Sequence, residues 1–88
     1  SMQIEHVNVK KAEKGQSITG RFVVHGGLNG DVAFRVYAPH GRMVVDEGRN
    51  EELEFSIPAR IRGDYVLEFD NRFSILTEKD IELTYCVR

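Results

Sequence analysis

Apolar side chains recur at every second position in this chain, in run after run, and that single periodicity rules out most folds. Ile81, Leu83, Tyr85 and Val87 alternate with Glu82, Thr84 and Cys86, and Tyr65, Leu67 and Phe69 alternate with Val66, Glu68 and Asp70. The same spacing holds for Leu53, Phe55 and Ile57, for Val32, Phe34 and Val36, and for Ile18, Gly20, Phe22 and Val24. A period of two puts each set on one face of a pleated strand. Two weaker runs, Ile4–Val9 and Arg42–Asp46, bring the predicted strands to seven. No apolar stripe at a helical period reaches helical length.

Turn formers separate the runs: Glu13-Lys14-Gly15, the glycine-rich stretch from Gly26 to Gly30, Pro39-His40-Gly41, Glu47-Gly48-Arg49-Asn50 and Arg62-Gly63-Asp64. Short strands about 8–12 residues apart, with turns between them, predict an antiparallel sandwich. The chain therefore reads as all-β, one jelly-roll-like domain over residues 1–88. Phe22, Phe34, Phe55, Tyr65, Phe69 and Tyr85 are the expected inward aromatics. Pro58 cannot donate to a ladder, so its strand should end there or lie on an edge. Ile61, between Arg60 and Arg62, is expected to act as a small lid on the core.

Composition narrows the function. With 12 basic and 14 acidic residues mixed along its length, the chain offers no basic field for nucleic acid and no cationic face for an acidic membrane. Cys86 is the only cysteine, so no internal disulfide can form and an oxidising compartment is not declared. No apolar run approaches the ~20 residues of a membrane span, and nothing resembles a signal peptide. Ser1-Met2 reads as a cleavage scar before a start methionine, and Arg88 ends a strand-like run abruptly. The expectation is a domain excised from a longer protein.

No constellation of residues points to catalysis. His6, His25 and His40 lack the spacings that bring two imidazoles to one metal. Glu52 and Glu54 suit a solvated strand face, and turn chemistry accounts for Asp46, Glu47 and Glu51. Ser74 has no adjacent glycine of a nucleophile turn, and Cys86 reads as a small residue on a half-buried face. The glycine cluster lacks a following helix to hold a phosphate, leaving it a turn that exposes Leu28. No cofactor and no metal are expected, and the domain reads as a binding module.

The stretch FDNRFS, residues 69–74, carries turn chemistry and a second bulky aromatic together. Phe69 is expected to end its strand facing the core, and Asp70-Asn71 to supply Asx-type turn bonds. Phe73 would fold back to plug the open end between the sheets, and Ser74 would cap the local backbone.

An ordered set of landmarks runs from Gly26 to the C-terminus: Gly26-Gly27, Asp31, Pro39, Gly41, Gly63, Tyr65, Phe69, Asn71, Phe73, Ser74 and Lys79. With DVAFRVYAPHGRMVV and GDYVLEFDNRFS around them, these residues resemble the Golgi-dynamics (GOLD) domain. That is a β-sandwich of transmembrane cargo receptors of the early secretory pathway and of cytosolic proteins that pair it with lipid-binding modules. The luminal receptors join an early strand to the strand before the Asn by a cysteine pair. Here Glu68 stands before Phe69, and no cysteine lies in the first strands. The Asp70-Asn71 pairing resembles the cytosolic branch, so a cytoplasmic location, membrane-associated through a parent protein, is the expectation, ahead of a luminal one. The resemblance implies protein–protein interaction linked to trafficking, self-association in some members, and neither catalysis nor a cofactor.

The leading expectation is thus a non-enzymatic adaptor that binds a protein partner, by strand addition to an exposed sheet edge. Candidate contacts are Leu28, Asn29 and Asp31 in one loop and Arg42, Val44 and Asp46 along one edge. Gly63, Tyr65, Phe69, Asp70, Asn71, Phe73, Ser74 and Lys79 are expected to be structural. A second reading is a glycan or lipid head-group module using an exposed Tyr37 beside Arg35 and His40. A third is homodimerisation.

Overall fold

The computed structural model describes residues 4–26, 30–72 and 80–88. Its seven strands are β1 (Ile4–Ala12), β2 (Ser17–His25), β3 (Val32–Tyr37), β4 (Met43–Asn50), β5 (Glu52–Pro58), β6 (Gly63–Asp70) and β7 (Asp80–Val87). They form a four-stranded sheet in the order β1-β6-β3-β4 and a three-stranded sheet in the order β5-β2-β7. Every pairing is antiparallel, and only β3 and β4 are neighbours both in sequence and in a sheet. The predicted antiparallel β-sandwich is what the chain forms. Phe73, Ser74 and Lys79 lie outside the described residues, as do Leu28 and Asn29.

The two sheets meet on aromatic rings. Phe22, Phe34, Tyr65 and Phe69 are buried. Phe34 lies at the centre, with ring centroids 5.1 Å from Phe22, 5.1 Å from Phe55 and 5.2 Å from Phe69. Tilted and edge-on rings at this separation contribute beyond their area burial. Around them close Val9, Ile18, Val32, Val36, Ile57 and Leu67.

Three sequence expectations need correction. Tyr85, expected in the core, is 38% exposed. It sits on β7, an outer strand, where a ring is covered on one flank only. Its neighbour across the ladder is Gly20, which also faces Phe55. A Cβ at Gly20 would lie 2.5 Å from the Thr84 carbonyl oxygen and 2.7 Å from Phe55 Cζ, so the missing side chain is space these neighbours already fill.

Glu47-Gly48-Arg49-Asn50, expected as a turn, lies inside β4. The ladder to β3 slips there, with Phe34 opposite Gly48 and Arg35 opposite Asp46, so Glu47 is an extra residue. Gly48 takes φ 69°, which its lack of a Cβ allows, and donates its amide to Asp46 Oδ1 at 3.1 Å. Turn chemistry here builds a bulge, and the chain bends from one sheet to the other through Glu51. Tyr37, expected exposed, is half-buried, with its hydroxyl donating to Glu68 Oε1 at 3.2 Å.

Pro58 satisfies both options read for it: it is the last residue of β5, and β5 is an outer strand.

Candidate functional site

Since β4 and β5 are joined through Glu51 alone, the outer strands of the two sheets lie on the same side of the sandwich. The start of β4 and the end of β5 border a groove of about 570 Å³. Its floor comes from buried Ala38, Ile57 and Tyr65, its walls from Met43, Val44, Val45, Pro58 and Ile61, and its rim from His40, Arg42 and Arg60. Met43 is 46% exposed, Val44 47% and Ile61 38%. Among the described residues, three of the four exposed large hydrophobic residues therefore share this groove, and the fourth is Tyr85. Scattered apolar residues on a surface are ordinary, but a cluster around a concavity marks a contact site.

Val44 reaches the surface because β4 slips a second time, with Val36 opposite Val45 and Tyr37 opposite Met43. Val44 is the extra residue of that bulge. Ile61 is held by Tyr65, whose hydroxyl donates to the Ile61 carbonyl at 2.7 Å and accepts from its amide at 3.3 Å. This is the tyrosine-corner arrangement, a phenol at the start of a strand tied to backbone a few residues upstream. Gly63 lets the same segment pass close to the β3–β4 turn. It has φ 139°, and a Cβ there would lie 2.7 Å from Pro39 Cγ. The expected lid at Ile61 is thus one wall of an open groove.

Tyr65→Phe is expected to cost about 1–1.5 kcal/mol, the worth of a hydrogen bond whose backbone partner water can partly satisfy. Urea unfolding measures the loss. Hydrogen exchange at the Ile61 amide should accelerate with it; an unchanged exchange rate would mean the phenol does not hold the wall.

The remaining predicted contacts do not converge. Arg42 and Val44 line the groove. Asp46 faces the outer surface of the four-stranded sheet, in a shallow depression with Arg35, Arg49, Asp70 and Arg72. Asp31 lies 3.3 Å from Arg49. Met43, Ile61, Arg60 and His40 were not foreseen as one surface, because nothing local links residues 40–45 to 57–61.

That outer surface carries a second cluster. Glu68 and Asp70 are buried polar residues on the solvent face of β6, and Asn71 is buried beside them. Arg35 Nη1 donates to Glu68 Oε1 at 3.1 Å and to Asp70 Oδ2 at 3.0 Å. His6 Nε2 lies 2.9 Å from Glu68 Oε2. Arg72 donates its amide and its Nε to Asp70 Oδ1, at 2.9 and 3.1 Å, and its Nη2 to Oδ2 at 3.0 Å. The amide bond is the predicted Asx turn. Burial alone would raise the Glu68 carboxyl, but hydrogen bonds from His6, Arg35 and Tyr37 outweigh it and hold it low. Asp70 is held far below the usual carboxylate range, first by the Arg72 guanidinium against the opposing effect of burial, then by the Arg72 amide and Arg35. These groups satisfy one another, so Arg35 and Tyr37 are engaged within the fold and His40 lies apart at the groove.

Cys86 is exposed, where a half-buried position was expected. Its thiol is pulled down by Arg88 Nε and then by Thr19 Oγ1, each 3.3 Å from the sulfur. Among the described residues no group of three His, Cys, Asp or Glu could hold a metal ion.

The family model described as emp24/gp25L/p24 family/GOLD matches residues 6–88. The chain belongs to the emp24/gp25L/p24 (GOLD) family. Its relatives include transmembrane emp24 domain-containing protein 1 of Homo sapiens and of Mus musculus, each 34% identical over 70 residues, 80% of this chain. The Xenopus tropicalis protein of the same name is 36% identical over 58 residues, 66% of the chain. The GOLD domain spans about 31% of the length of the human relative and 26% of the frog one. Among its described residues no helix is long and apolar enough to cross a membrane.

Proposed function

We propose that this GOLD domain is a non-catalytic, cofactor-free recruitment module linked to membrane trafficking, which engages a protein partner through the groove between β4 and β5. The observation that carries this reading is the gathering of Met43, Val44 and Ile61, all exposed, around one concavity. The groove favours side-chain docking over strand addition at β4, because two bulges interrupt that edge, and bulges protect edges from pairing. Relatives named as transmembrane proteins support a parent chain held at a membrane. The luminal receptors that this chain resembles carry a cysteine pair between an early strand and the strand before the Asn; here that pair is absent, and His6 stands opposite Glu68 in register. That contact forms in oxidising and reducing compartments alike, so the cytoplasmic reading rests on the Asp70-Asn71 resemblance to the cytosolic branch.

The test is Met43→Glu combined with Val44→Glu. Both side chains are exposed, so the melting temperature should stay within about 4 °C of wild type. The parent protein carrying them should lose its cross-linked partner, whereas Thr84→Glu on exposed β7 should keep it. Retention of the partner by the groove variant overturns the reading.

A further inference from the structure

The rim of the groove gathers two cations that no carboxylate among the described residues neutralises. Arg21, Arg35, Arg49, Arg62 and Arg72 each have a carboxylate within reach, at 2.6, 3.0, 3.3, 3.7 and 3.0 Å. Arg42 and Arg60 have none among the described residues, a state they share with Arg88, Lys11 and Lys14, but they are the two that border a concavity. Both line the groove, together with His40, and among the described residues no carboxylate lines it. A guanidinium presents a planar fork matched to a carboxylate, and two such forks beside an apolar cleft select against cationic and neutral occupants. The groove lies between two outer strands and is floored by side chains, a shape suited to an extended chain.

We propose that the groove takes an extended acidic peptide segment of a protein partner. Its carboxylates meet Arg42 and Arg60, and an apolar side chain between them enters against Met43, Val44 and Ile61. This rests on the groove being the recruitment site and adds the chemistry of what it recruits. Alternation suits the geometry, since an extended segment sends successive side chains to opposite sides.

The experiment titrates the isotopically labelled 88-residue chain with three synthetic decapeptides, alternating Glu-Val, Ser-Val and Lys-Val, and follows amide shifts by NMR. The Glu-Val peptide should shift the amides of Arg42, Met43, Val44, Arg60 and Ile61. It should bind at least about tenfold more tightly than the Ser-Val peptide and weaken as salt is raised toward about 0.5 M, where exposed charges are screened. In the double variant Arg42→Glu with Arg60→Glu the preference should invert, the Lys-Val peptide binding and the Glu-Val peptide not. Neither arginine has a carboxylate partner among the described residues, so amide shifts far from the groove should match wild type.

Equal binding of the Ser-Val and Glu-Val peptides in the groove overturns the acidic preference and leaves the recruitment reading standing. Groove shifts from vesicles containing phosphatidylserine, with none from any peptide, overturn the proposal in favour of a lipid surface. If no probe shifts the groove, the proposal fails; if the Met43/Val44 variant also keeps its partner, the recruitment reading fails with it.

Discussion

Replacing Phe34 by alanine is expected to remove about 3–5 kcal/mol of stability, the usual cost of emptying a buried aromatic site. A domain of this size has only about 4–13 kcal/mol in total, at 0.05–0.15 kcal/mol per residue. The variant should therefore sit near the limit of folding. Phe34 is fully buried on β3 and, among the described residues, is the one ring that touches Phe22, Phe55 and Phe69 together. Its removal takes a shared neighbour from both sheets, so collapse of one wall cannot refill the space. Phe55→Ala is the comparison: that ring is half-buried at an outer strand, and its loss should cost clearly less. Urea unfolding measures both. A loss below about 1.5 kcal/mol for Phe34→Ala would mean that the core repacks around the gap.

Arg35→Met is the second large effect, expected at about 2–4 kcal/mol. Stripping one partner from a fully buried ion pair costs about 3–5 kcal/mol. Here the Arg35 side chain is 27% exposed, and each carboxylate keeps other donors, His6 and Tyr37 for Glu68 and Arg72 for Asp70. The discount follows from that. The pH dependence has a definite sign. Both carboxyls are held below their ordinary values in the folded state. Their contribution is therefore complete above the unfolded pKa of about 4 and is lost as pH falls through the folded values. Wild-type stability should drop on acidification below about pH 4. In Arg35→Met both carboxyls lose a cation that favours their charged form, so the gap between variant and wild type should narrow over the same range. Thermal melts from neutral pH down to about pH 3 test this, and a constant gap would assign the loss to packing instead.

Strand positions were legible because a half-buried strand writes its burial into every second residue, as in Tyr65, Leu67 and Phe69. Where one residue performs two roles the reading slipped. Asp46 and Gly48 carry turn chemistry, and in isolation Glu47–Asn50 is a turn; only the ladder with β3 makes it a bulge. Tyr85 follows the inward alternation of β7, but period two gives the face of a strand and not its place in the sheet. The ion lattice escaped for another reason. His6 and Glu68 lie 62 residues apart and Arg35 and Glu68 lie 33 apart, so their meeting depends on the strand order β1-β6-β3. The one local trace was Glu68 and Asp70 on the same face of a single strand. The groove was half legible: Arg42, Val44 and Ile61 were singled out separately, and the crossing from β4 to β5 unites them.

The strand order also dictates when this domain can exist during synthesis. β6 lies between β1 and β3, and β2 lies between β5 and β7. A ribosome that has released the chain only as far as Asn50 has released one pair able to close on its own, the β3–β4 hairpin, and no complete sheet. Most pairings join distant segments, a topology that folds on the slow side of the two-state range. Until the final strand emerges, β2 keeps an unpaired edge, and such edges invite pairing with other chains. The period of greatest exposure to misassembly therefore falls just before this domain is complete, when its last eight-residue strand closes the second sheet.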